Sequence, residues 1–187
     1  MYLDIEELLN VYLPYTGIQE SQRDRWRDTF RQFPVFSGYR AIWRGMWAGS
    51  GWTQDTWNHE STHLLQWELS QNARGGRAAR WLEEGHATHL QYRVGRQVTT
   101  TEQWRSLVNA GRLNYRLRDI EGERIFDVPN GYLLGALAAE YLRVQYGGDS
   151  AMTRFWTGLA SAQWQTAFQN AFGVSADSFY DAFERWR

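Results

Sequence analysis

The sequence predicts an α+β fold, a mainly helical domain with a small β-sheet or hairpin just before its most informative helix. Three observations predict it. Apolar residues recur at helical spacing through most of the chain. The stretch from Val35 to Trp47 is instead aromatic and broken by glycines, as strands and hairpins are. With 187 residues, 43% hydrophobic and 22% charged, the chain is long and apolar enough for one globular domain and its core. That domain is expected to span 1–187, with 1–34 a helical segment that no motif ties to the rest.

The elements follow in order. Asp4 to Leu13 carries a stripe of Ile5, Leu8, Leu9 and Leu13, and Pro14 is expected to end it. Glu20 to Phe33 is a charged amphipathic helix with Trp26, Phe30 and Phe33 on one side. Val35-Phe36 and Tyr39 to Trp47, punctuated by Gly38, Gly45, Gly49 and Gly51, give the strands. Asp55 is placed to N-cap a helix running to Ser70. A loop follows, and Arg77 to Val94 forms the next helix, closed by Gly95. A short helix covers Thr101 to Ala110, and Gly111 to Pro129 is irregular. Gly131 to Tyr146 is an apolar, Ala-rich helix stopped by Gly147-Gly148. Ser150 to Leu159, Ser161 to Phe172 and Ser175 to Trp186 finish the chain, each opening on a Ser that can cap it. There is no repeat and no low-complexity tract.

Net charge is −1, so no global field favours nucleic acid or an anionic membrane. Every basic residue is Arg. Cysteine is absent, so a metal would have to sit on His and carboxylate. No apolar run reaches the ~20 residues of a spanning helix, and the first residues lack a signal pattern. The chain holds 11 Trp, and Trp43, Trp47, Trp52 and Trp57 precede the central motif. An aromatic core is the plainer reading of this abundance, and a groove with aromatic walls the sharper one.

The central motif is His59-Glu60-Ser61-Thr62-His63. Histidines four apart on a helix project from one face, where both can reach one tetrahedral zinc at ~2.0–2.1 Å. Glu60, beside the first ligand, is placed to act as general base on an attacking water. A catalytic zinc needs a third protein ligand and one open position. A His six residues after the second is excluded, because Leu69 stands there and Gln66 occupies the accompanying Gly position. The next helix offers Glu83 and Glu84, followed by Gly85, which permits close approach of another helix. His86 and His89 are rival ligands, but neither shares a helix face with Glu84.

The pairing of this motif with Trp81-Leu82-Glu83-Glu84-Gly85-His86-Ala87 resembles the gluzincin metallopeptidases rather than the metzincins. The closer likeness is to small bacterial peptidase-MA-like domains and to plant basic secretory proteins, whose HExxHxxQW string is similar to His59 to Trp67. Looser similarity extends over 35–187. The resemblance implies a zincin-like fold, Zn2+ held by His59, His63 and Glu84, and hydrolysis of a peptide or protein by zinc-activated water. Endopeptidase activity is favoured because the sequence carries no dedicated amine-recognition motif. It also implies a Tyr that hydrogen-bonds the developing oxyanion, for which Tyr132 is the candidate and Tyr115 a rival. An extracytoplasmic location is suggested on the same ground. His86 stands where an apolar residue is usual and His89 where Tyr or Phe is. Both are therefore candidate substrate contacts, as are Trp43 and Trp47, four apart on one face of a strand that either edges the cleft or lies inside the sheet under helices. The alternatives are a noncatalytic module binding peptide or glycan through its tryptophans, and a closed structural zinc site with His86 or His89 as fourth ligand.

Overall fold

The computed structural model describes the backbone of residues 2–16, 19–32, 35–38, 41–45, 54–71, 78–110, 113–122, 125 and 127–187. Side chains are described for these except 2–3, 11–16, 32, 35–38, 41–45 and 110. Two helices, α1 (Ile5–Thr16) and α2 (Arg23–Gln32), pair through the apolar stripes read in the sequence, burying Leu8, Leu9 and Phe30. Glu6 joins them by ion pairs to Arg23 at 2.9 Å and Arg27 at 2.7 Å. Pro14 does not end α1, which runs on to Thr16.

The expected α+β class is overturned: the protein is built of helices. Its buried cluster, from Ala79 to Phe183, comes from helices and the turns between them. Among the described residues, extended backbone amounts to β1 (Tyr2–Leu3), β2 (Val35–Gly38) and β3 (Ala41–Gly45), segments of only 2, 4 and 5 residues. Of the two positions open to β3, edge or internal, it takes the internal one, with β1 and β2 paired on either side of it. The aromatic and glycine pattern of this segment reports local extended geometry and says little about what the rest of the chain packs around.

The body is organised on two helices. The first, α4 (Arg80–Gly95), is buried along Trp81 to His89 without a break. It lies against α3 (Gln54–Leu69) on one side and α6 (Gly131–Gln145) on another. Helix α6 is Ala-rich and buried over Leu134 to Leu142, as expected of a helix with neighbours around most of its circumference. The α4–α6 crossing is close because both helices present glycine: a Cβ on Gly85 would stand 2.3 Å from the carbonyl carbon of Gly135. At the other end of α4, Arg96 reaches Asp55 at the start of α3 at 2.7 Å. Helix α5 (Thr101–Ala110) also packs on α6 and contributes the buried Trp104.

The last three helices, α7 (Gly148–Gly158), α8 (Trp164–Phe172) and α9 (Ala176–Trp186), supply an aromatic core of Phe155, Phe168, Phe179 and Phe183. Trp81 stacks on Phe179 at 5.5 Å and donates its indole N–H to the Tyr180 hydroxyl at 2.8 Å, which fixes the start of α4. Trp81, Trp104 and Trp156 are fully buried, so for these three the aromatic-core reading holds. Of the three serines expected as caps only Ser175 serves, accepting from the Ser178 amide. Ser150 lies inside α7, which starts after left-handed Gly147, and α8 starts after Gln163.

One buried ion pair makes the fold sensitive to acid. Glu140 of α6 accepts from His89 at 2.9 Å and from both Nε and Nη2 of Arg143, at 2.8 and 2.9 Å. Burial favours the neutral acid, but these bonds outweigh it and lower the Glu140 carboxyl to about 2. A lowered carboxyl stabilises the fold above its ordinary value near 4.5, and that contribution is lost as pH falls toward 2. Glu140→Gln is therefore expected to destabilise the metal-free chain at pH 7 by about 3–5 kcal/mol, the cost of breaking a buried pair. In urea melts followed by circular dichroism, the gap between wild type and variant should close as pH falls from 4.5 to 2; a gap that persists at pH 2 counts against this account.

Candidate metal centre

One turn of α3 carries His59 and His63, with ring centroids 4.8 Å apart and planes at 82°. Glu84, in the second turn of α4, faces them. Its Oε2 is 3.3 Å from Nε2 of His59 and 3.3 Å from Nε2 of His63, and the two nitrogens are 3.1 Å apart. Ligands at ~2.0–2.1 Å from a tetrahedral zinc stand about 3.3 Å from one another, so these three atoms mark one face of such a tetrahedron. They form a metal-capable group whose His63 and Glu84 are buried and whose His59 is half-buried.

The other ring nitrogens show why the group suits a cation. Nδ1 of His59 lies 3.1 Å from Oε1 of Gln91, and Nδ1 of His63 lies 2.9 Å from Oε1 of Gln66. An amide oxygen only accepts, so each Nδ1 carries a hydrogen and each Nε2 is the atom turned toward Glu84. Where the rings are neutral, three electron-rich atoms converge on one point, and either a proton or a metal ion relieves that arrangement. The electrostatics of His59 and Glu84 favour a positive charge there. Burial pushes the His59 imidazole down, but the Glu84 carboxylate outweighs it and the net shift is upward. Burial likewise opposes ionisation of Glu84, yet His63 and His59 hold its carboxyl well below the usual range.

Glu60 is half-buried beside His59, and its charge acts on both His59 and Tyr132. Tyr132, in the first turn of α6, has its ring 6.1 Å from that of His59. Burial, then the charges of Glu84 and Glu60, raise its phenol well above the ordinary tyrosine value, so it stays a neutral donor. The rival Tyr115 gives its hydroxyl to the carbonyl of Pro129, in the turn that leads into α6.

His86 and His89 are not brought to this group. His86 is buried, with its Nδ1 3.2 Å from the indole nitrogen of Trp156. Burial, then the nearby His89 and His63, lower its imidazole to about 3. His89 stacks on Trp104 at 5.2 Å and bonds Glu140. The expectation that these two histidines touch substrate, or fill a fourth ligand position, is corrected: their partners are core residues that a single-sequence reading cannot pair with them. Trp43 belongs to β3, but its side chain lies outside the described residues, as does the whole of Trp47.

Gln91 and Gln66, whose amide oxygens face Nδ1 of His59 and of His63, are contacts of this group that the sequence does not single out. Gln66 stands there only as part of the HExxHxxQW string and where another ligand pattern has Gly. Its spacing of three from His63, on the same helix face, was the available signal. Among the described residues, no helix is long and apolar enough to cross a membrane. The sequence matches no family model, and neither curated proteins nor solved structures match it.

Proposed function

We propose that the chain is a zinc-dependent peptide hydrolase of gluzincin type, acting within chains rather than at their ends. One observation carries the reading: His59, His63 and Glu84 converge at tetrahedral spacing, and Glu60 follows the first of them on α3 with its charge acting on that histidine. Zinc held there supplies Lewis acidity, polarising a carbonyl and lowering the pKa of water toward ~7. Glu60 takes the proton from the water oxygen as that oxygen bonds to the carbonyl carbon. It then passes the proton to the leaving nitrogen as the C–N bond breaks. Tyr132, held neutral, donates to the carbonyl oxygen as negative charge develops. No side chain becomes acylated, so the residues needed are a base, an oxyanion donor and the ligand set, all drawn from α3, α4 and α6.

The purified chain is expected to carry about one zinc, the complement of a single three-ligand site, and to cleave a denatured protein or mixed peptide library. Chelation should stop cleavage, and added zinc should restore it. A folded chain with no affinity for zinc sinks the proposal. Stoichiometric zinc with no cleavage of any library favours the noncatalytic binding module.

A further inference from the structure

Gln66 is fully buried, and the direction of its amide is decided by groups other than the candidate ligands. Its Nε2 donates to the main-chain carbonyl of Glu83 at 3.0 Å and lies 3.3 Å from Nδ1 of His86. That same Nδ1 receives the indole N–H of Trp156 at 3.2 Å. An indole N–H can only donate, so Nδ1 of His86 has to carry the lone pair and its hydrogen has to sit on Nε2. A flipped Gln66 would aim its carbonyl at this lone pair and at the Glu83 carbonyl, two acceptors at once. The amide therefore has one orientation, its oxygen faces His63 at 2.9 Å, and His63 has to hold its hydrogen on Nδ1.

We infer that Trp156, His86 and Gln66 form a buried relay of hydrogen-bond polarity that fixes the tautomer of His63 and so aims its Nε2 lone pair at the metal position. All three are positioning residues. The inference rests on the zinc reading for its purpose, but its geometry stands without a metal. It gives His86 a task that its burial allows, and it explains why a buried polar cluster links α7, α4 and α3 where apolar packing would otherwise serve. The Gln66 amide and Nδ1 of His86 each find their partners within it. Groups that orient metal-binding histidines commonly carry a carboxylate; here a neutral amide does the work and adds no charge to the site.

The test is long-range 15N–1H correlation NMR on the 15N-labelled, metal-free chain at a pH where the imidazoles are neutral. Wild type is expected to show opposite tautomers, Nδ1–H at His63 and Nε2–H at His86. Nε2–H at His63, or Nδ1–H at His86, overturns the relay without recourse to any variant. Gln66→Leu, shown to be folded by circular dichroism, should shift His63 toward Nε2–H and weaken zinc binding about 10–100-fold. A folded Gln66→Leu chain with unchanged tautomer and zinc affinity also overturns the relay. The expected tautomers in a wild-type chain that takes up no zinc uphold the relay and sink the zinc reading.

Discussion

Glu60→Gln is expected to slow peptide hydrolysis by about 10²–10⁴-fold, the usual contribution of a positioned general base, while zinc content stays at the wild-type level. The amide matches the carboxylate in shape but cannot take a proton from water. Glu60 is not among the atoms that converge at the metal position, so its loss leaves His59, His63 and Glu84 in place. Glu84→Ala is the companion experiment. It removes the α4 ligand, and zinc should go with activity. Measured side by side, by metal analysis and steady-state kinetics on one peptide, the two variants separate the base from the ligand. A Glu60→Gln enzyme with a near wild-type rate removes Glu60 from the mechanism; one that loses its zinc makes Glu60 a ligand.

Gly85→Ala should be the most damaging glycine-to-alanine change among the described residues. The added Cβ meets three backbone atoms of Gly135, the carbonyl carbon at 2.3 Å, the oxygen at 2.5 Å and Cα at 2.6 Å. None of these atoms can swing aside as a side-chain tip can, so α4 and α6 have to part. Overpacking costs about 1–3 kcal/mol and sometimes more, and a contact against helix backbone belongs at the upper end. At about 2–4 °C per kcal/mol for a chain of this size, the melting temperature should fall by roughly 10 °C. Zinc affinity should fall with it, since Glu84 is the neighbouring residue on α4. Gly122→Ala is the control, because nothing lies within 4 Å of its new methyl. Thermal melts followed by circular dichroism decide the matter, and a Gly85→Ala chain as stable as that control would refute the crossing as described.

Much of the centre was legible because its chemistry is local. Histidines four apart share a helix face in any helix, and a Glu-Gly pair one short connection later can be read without knowing the fold. What could not be read was long-range pairing. Gly85 pointed to a close helix, yet its partner, Gly135, lies fifty residues on. His86 and His89 looked like substrate contacts because polar side chains near a catalytic motif usually face the cleft. Trp156 on α7 and Glu140 on α6 are what turn them into core residues. The same limit misled the reading of fold class, since strand character in Val35 to Trp47 is a property of those residues, whereas the make-up of the core depends on what packs with what.

The unbroken burial of α4 from Trp81 to His89 has a further consequence, for how the gene can vary. A helix with a solvent side can drift there at little cost; this stretch has none. Trp81 is read by α9, Gly85 by α6, His86 by α7 and Glu84 by α3, so each codon answers to a different neighbour. In a saturation mutagenesis library selected for folding, these nine positions should form an uninterrupted block of intolerance, without the every-third-or-fourth rhythm that helices ordinarily leave in such data.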